Sequence, residues 1–163
     1  MRIKLDEVDI KILEILQRDG RITNARLAAQ VGLSAPPMLE RVKKLERMGV
    51  IKAFRAILDA QSLGRDFFVY VAVNVTVSQL SKVDEFETRI QALPEVMECY
   101  HIAGDIDFLL KVNVADHEAY KRFVVKDLSR IQGINRIHSW VVLNTVKQES
   151  NLLLDGIVET KSA

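Results

Sequence analysis

TNARLAAQVGLSAPPMLERVKKLERMGVI, residues 23–51, reads as two short helices joined by a tight turn. Thr23 or Asn24 supplies an oxygen that can accept a bond from an orphan amide of the first helical turn. Leu27, Ala28 and Val31 then recur at helical spacing and make one apolar face. Gly32 falls where the chain must leave that helix, and a residue without Cβ takes the left-handed backbone needed there at least cost. Ser34 stands as a cap for the second helix, with Pro36 and Pro37 in its first turn, where a missing N–H removes no helical bond. Each proline disfavours helical angles in the residue before it, so regular helix is expected to begin a residue or two late.

From Met38 onward, Met38, Val42 and Leu45, widened by Leu39, are expected to face the first helix. Arg41, Lys43, Lys44, Arg47, Lys52 and Arg55 set six positive charges against Glu40 and Glu46. This is the layout of a helix-turn-helix, whose second helix lies in a DNA groove. Basic side chains on phosphates give sequence-independent affinity, while residues at the front of the helix reach base edges. The candidate DNA-contacting residues are Ser34, Ala35, Pro36, Pro37, Glu40, Arg41, Lys44 and Arg47. A charge run alone is more often a solvated helix face; the cap and the turn glycine favour DNA here.

Working outward, Asp6 can cap an earlier helix reaching about Arg18, lined by Leu5, Val8, Ile12 and Leu16 and ended at Asp19-Gly20. Gly49 stops the second motif helix, and residues 50–58 alternate like a strand, a small β appendage. Residues 1–58 therefore read as the DNA-binding domain and the polar stretch 59–66 as a hinge. From 67 to 163 the period changes. Residues 67–77, 96–103, 107–114 and 137–146 read as strands, with a tight turn at Gly104-Asp105-Ile106. Val83, Phe86, Ile90 and Leu93 form one amphipathic helix; Tyr120, Phe123, Val124, Leu128 and Ile131 form another, stopped at Gly133. The order β-α-β-β-α-β is the ferredoxin-like split unit, so the fold class is α+β. Helices cover one sheet face; Tyr70, Ala72, Met97, Cys99, Leu109, Trp140 and Val142 are expected on the other, awaiting a partner subunit. Leu152–Leu154 is a candidate edge strand and residues 159–163 a loose tail.

The 163 residues are 48% apolar, enough for two small cores. Residues 1–60 hold 12 Lys and Arg against 8 Asp and Glu, whereas residues 61–163 hold 11 against 14. A basic half joined to an acidic half implies that only the first meets a polyanion. Cys99 is the single cysteine, which excludes an intrachain disulfide and a four-thiolate zinc site. With no apolar run approaching the roughly 20 residues that span a bilayer, the expected place is the cytoplasm, associated with the nucleoid.

Two distant motifs, LSAPPMLERVKKLERMGVI and AGDIDFLLKV followed by the closing SWVVLNTVKQ, make the chain resemble the Lrp/AsnC (feast/famine) family of transcription regulators, and most of all its leucine-responsive branch. The resemblance covers nearly the whole chain. It implies a winged helix-turn-helix, a ferredoxin-like effector and oligomerisation domain, homodimers that gather as a tetramer of dimers, and palindromic sites on double-stranded DNA. It further implies a small amino acid as effector, with the effector-response positions falling on Ile102, Asp107, His117, Trp140, Val141 and Val142. His117 and Trp140 depart from the leucine-responding pattern in polarity and volume, so leucine itself is not assigned. Chemically, an amino acid needs an acceptor for its ammonium, offered by Asp105 or Asp107, and donors for its carboxylate, offered by amides of the Gly104 turn.

Plainer roles stand beside these. Asp105 and Asp107 are common turn residues, His117 suits an exposed helix start, and Cys99 suits a small buried apolar group. Enzymatic chemistry at His101 near Asp105 and Asp107 lacks a second histidine, a phosphate loop or a nucleophile signature, so no catalytic residue, cofactor or metal ligand is assigned. The enzyme is the rival from another class; the further alternative is an architectural DNA-compacting protein without effector control.

Overall fold

The computed structural model describes residues 3–76 and 83–157, so Val77 of the first expected strand and the expected tail at 159–163 lie outside the described residues. The chain divides into two compact units, residues 1–57 with 148–163, and residues 58–147.

In the first unit α1 (Glu7–Arg18) is capped by Asp6, whose carboxylate accepts from the Asp9 amide while Asp9 bonds back to the Asp6 amide. Helix α2 (Asn24–Val31) is capped by Thr23 and ends at Gly32, whose φ of 80° lies in the left-handed region. Helix α3 (Ala35–Arg47) begins directly after Ser34, without the delay expected from the prolines. Ser34 makes no side-chain cap bond. The Asn24 side chain instead donates to the Ala35 carbonyl at 2.8 Å, tying the starts of α2 and α3 together across the turn. Ile12, Leu27, Met38 and Leu45 are sealed from solvent in the core of this three-helix unit. Each such side chain contributes about 1.5–3 kcal/mol of burial free energy.

Two further expectations fail here. Leu39 does not join that core but is 43% exposed. Residues 50–58 form no strand, and Phe54, Ile57 and Leu58 are exposed. A ladder needs a neighbouring strand to satisfy its backbone, and the alternating pattern alone supplies none. The C-terminal segment also differs from expectation. Leu152–Leu154 adds no edge strand to the sheet: the Gln17 amide donates to the Leu152 carbonyl at 3.2 Å and accepts its N–H at 2.6 Å, and Leu154 packs on the helical core. Residues 148–157 thus belong with the helices, not with the 67–163 domain expected.

The second unit carries β1 (Phe67–Val75), α4 (Val83–Gln91), β2 (Val96–His101), β3 (Phe108–Val114), α5 (His117–Lys126), a 3₁₀ turn (Leu128–Arg130) and β4 (Ile134–Val141). The antiparallel sheet has the order β2-β3-β1-β4, the ferredoxin-like arrangement. Val69, Val71 and Val73 of β1 and Phe108, Leu110, Val112 and Val114 of β3 pack against Phe86 and Ile90 of α4 and Tyr120 and Phe123 of α5. The Tyr120 hydroxyl meets Ser139 Oγ at 2.5 Å, so these two polar tips satisfy each other. Strand β4 stops at Val141, short of the expected 146, because its partner runs out: Val142 still donates to the Phe68 carbonyl, one residue from the start of β1.

Register sorts the opposite face. Glu98, Lys111, Tyr70 and Trp140 stand opposite one another in one row across the four strands, and Tyr100, Leu109, Ala72 and His138 in the next. Tyr70, Tyr100 and Trp140 are exposed there. Cys99 is not among them: it pairs with Leu110 and so lies on the helix-bearing side, exposed rather than buried.

Candidate nucleic-acid interface and ligand site

The residues of α3 divide by what they touch. Met38 and Leu45 are buried, whereas Ser34, Ala35, Pro36, Pro37, Leu39, Glu40, Lys43, Lys44 and Arg47 are exposed. Arg41 turns toward α1, donating to Asp6 Oδ2 at 2.7 Å and to Asp9 Oδ1 at 2.8 Å. Lys44 Nζ lies 3.6 Å from Asp9 Oδ2. Asp9 is fully buried, so these two cations neutralise a carboxylate that would otherwise be costly to hold there. Burial would raise the pKa of Asp6, but hydrogen bonds from Arg41 and the Asp9 amide, with the charges of Arg41 and Lys44, outweigh it and lower the value below 3.8. Arg41, a DNA candidate by sequence, is therefore engaged in fixing α3 on α1. Its partners lie 32 and 35 residues away, beyond any local pattern. The Asp6-x-x-Asp9 spacing was the one legible sign of the box that recruits it.

Lys43, absent from the sequence-derived set, stands on the exposed side within 3.5 Å of Glu40. Pro36, Glu40, Lys43 and Arg47 succeed one another at steps of three or four residues, so they line one exposed stripe.

In the second unit the effector candidates fall into two groups. Ile102, Gly104, Asp105 and Asp107 form the β2–β3 connection, closed by Ile102 N–H bonding the Asp107 carbonyl at 2.8 Å. Asp107 Oδ2 accepts the Val75 amide at 2.7 Å where β1 shifts register, and Asn74 Nδ2 bonds the Asp105 carbonyl at 2.9 Å. One Asp107 oxygen is thus committed to the sheet. His117, Val141 and Val142 lie at the other end of β1, near Phe67 and Phe68: the His117 ring meets Phe67 edge-on at 6.5 Å, and Val141 pairs with Val69. Trp140 sits beside Tyr70 on the open face, 4.5 Å from the His138 ring. Asp107 adjoins Phe108, which pairs with Val73, while Val114 pairs with Phe67. About six residues of β1 separate the two groups, roughly 20 Å at the usual rise per strand residue, so one chain does not bring them into one pocket.

A cavity of about 430 Å³ opens between α4 and β2, lined by Ile90, Met97, Cys99, His101 and Phe108 among others. The His101 ring stacks on Phe108 at 4.6 Å. Desolvation and then the Glu87 carboxylate push the Cys99 thiol pKa up, leaving little thiolate for metal or redox chemistry. Among the described residues no group of three or more His, Cys, Asp or Glu is placed to hold a metal ion, and no helix is long and apolar enough to cross a membrane.

A three-helix unit presenting a basic, exposed second motif helix, joined to a ferredoxin-like unit, defines a DNA-binding regulator with a separate ligand-binding module. Residues 5–52 match the winged helix-turn-helix DNA-binding family, and residues 69–152 the Lrp/AsnC ligand binding domain. The chain belongs to the Lrp/AsnC family of transcription regulators, a family of regulators rather than enzymes. It is similar to the leucine-responsive regulatory protein of Haemophilus influenzae, 43% identical over 92% of this chain and 90% of that one. The leucine-responsive regulatory protein of Escherichia coli K12 is 39% identical over 92% of both. A Neisseria meningitidis transcriptional regulator solved as an L-Met complex superposes with a TM-score of 0.89 at 32% identity, covering 95% of this chain and all of that one.

Proposed function

We propose that this regulator binds palindromic duplex sites through paired α3 helices, and that an amino acid or close metabolite held by the C-terminal unit alters its assembly or DNA affinity. The observation that carries the reading is the division of α3: Arg41 anchors the helix inward, which leaves Ser34–Pro37, Glu40, Lys43 and Arg47 on the outside to meet DNA, with Lys44 exposed but shared with Asp9. The exposed aromatic rows of the sheet suit self-pairing into a homodimer, and dimers then gather as a tetramer of dimers. Asp105 and Asp107 supply the ammonium acceptor and the Gly104 turn the amide donors, while His117, Trp140, Val141 and Val142 border the ligand from another chain. Because the two groups stand at opposite ends of one sheet, a ligand touching both requires two chains. Ligand binding is thereby linked to assembly.

The test titrates the full chain onto a duplex selected from random DNA, with and without each standard amino acid, and follows mass by sedimentation. L-Met is the first probe, since the Neisseria relative was solved with it. The reading expects at least one amino acid to change DNA affinity or mass severalfold, with the response blunted in Asp107→Ala. DNA binding and mass indifferent to every amino acid favour the architectural alternative.

A further inference from the structure

The front of α3 is poor in hydrogen-bonding groups. Ala35, Pro36 and Pro37 are exposed and carry no polar side-chain atom, and Arg41, the first basic residue of the helix, is spent on Asp6 and Asp9. Leu39 continues this strip. It lies one turn on from Ala35 and Pro36 and one turn before Lys43, and it is 43% exposed where Met38 and Leu45 of the same helix are buried. A single exposed leucine is ordinary on a protein surface. Four outward apolar residues within five positions, interrupted only by the buried Met38, at the leading end of a helix that enters a DNA groove are a specific chemical surface. In the major groove the one apolar feature that distinguishes a base is the C5-methyl group of thymine.

We infer that Leu39, together with Ala35 and Pro36, reads thymine through its C5-methyl group, making Leu39 a specificity-determining residue. Glu40 and Lys43, paired with each other along one side of this strip, supply polar contacts to neighbouring bases or phosphates. The inference rests on the proposed placement of α3 in the major groove and adds the identity of the base feature recognised. A thymine is accordingly required in each half-site under Leu39, and the requirement is for its methyl group, not for its Watson–Crick partner.

The experiment uses the full chain and its selected duplex, replacing each thymine in turn by deoxyuridine, which removes the methyl group and leaves pairing intact. One thymine position per half-site should weaken binding about fourfold on losing its methyl, the equivalent of one buried methyl group. Leu39→Ala should bind thymine and uracil duplexes equally at that position, with its salt dependence and melting temperature unchanged; Leu39→Met should keep the discrimination. Selection of a specific site that is insensitive to uracil everywhere, or discrimination that survives in Leu39→Ala, overturns the inference while leaving DNA recognition by α3 intact. Failure to select any site overturns both.

Discussion

At the scale of single residues, Asp9 and Arg41 determine how α3 is held. The Asp9 carboxylate is fully buried, whereas its cations Arg41 and Lys44 are partly exposed, so the carboxylate is the member stranded when a partner is removed. Arg41→Ala should destabilise the helical unit by about 3 kcal/mol, the scale for breaking a buried ion pair and leaving its charge uncompensated, as read from urea unfolding. It should likewise lower the melting temperature, whereas Arg47→Ala should leave it unchanged and reduce the slope of log affinity against log salt by about 0.9. Asp6 adds a pH signature: its folded pKa lies below 3.8, so its stabilisation is present above that value and is lost as pH falls through the folded pKa. Asp6→Asn should flatten that part of the acid-unfolding profile measured by circular dichroism. The Asp6 and Thr23 caps and the buried Met38 and Leu45 were legible in sequence because they depend on neighbours three or four positions away, whereas the cap expected of Ser34 did not form. The inward turn of Arg41 was not, since its partners belong to a helix some 30 residues earlier.

At the scale of elements, periodicity located every helix and every strand of the sheet, but ends were set by partners. Strand β4 ends where β1 offers its last carbonyl, and residues 50–58 have the right alternation without a strand to join. The β2–β3 connection illustrates how a candidate site residue acquires a structural duty. Asp107 holds the Val75 amide where β1 changes register, so Asp107→Ala should cost about 1–3 kcal/mol of stability from the amide left unpaired. This part of the effect is measurable by thermal denaturation without any amino acid present. An effector role is separable from it: Asp107→Asn keeps an acceptor for Val75 but loses the charge, and should bind amino acid more weakly with a smaller change in melting temperature. The Gln17–Leu152 pair is equally non-local, with 135 residues between its members, and no pattern within either segment announced it.

At the scale of the whole molecule, the order of two dissimilar units was legible from the change of hydrophobic period and from the shift in charge between the halves. Two features were not: the return of residues 148–157 to the helical unit, and the separation of the effector candidates to opposite ends of the sheet. The second feature makes assembly part of the chemistry, because a ligand between both groups counts chains as well as atoms. Trp140→Glu, set in the exposed aromatic row beside Tyr70, should reduce the sedimentation mass toward that of a single chain and weaken binding to a two-half-site duplex far more than to one half-site. The most direct test of the account is a fluorescence-anisotropy titration of the full chain on its selected palindromic duplex and on a scrambled duplex, at two salt concentrations, with and without L-Met and the other amino acids. The account predicts tighter binding to the selected duplex by roughly a thousandfold or more, a steep loss of affinity with salt, and a severalfold change on adding at least one amino acid; equal affinity for both duplexes and no response to any amino acid would contradict it.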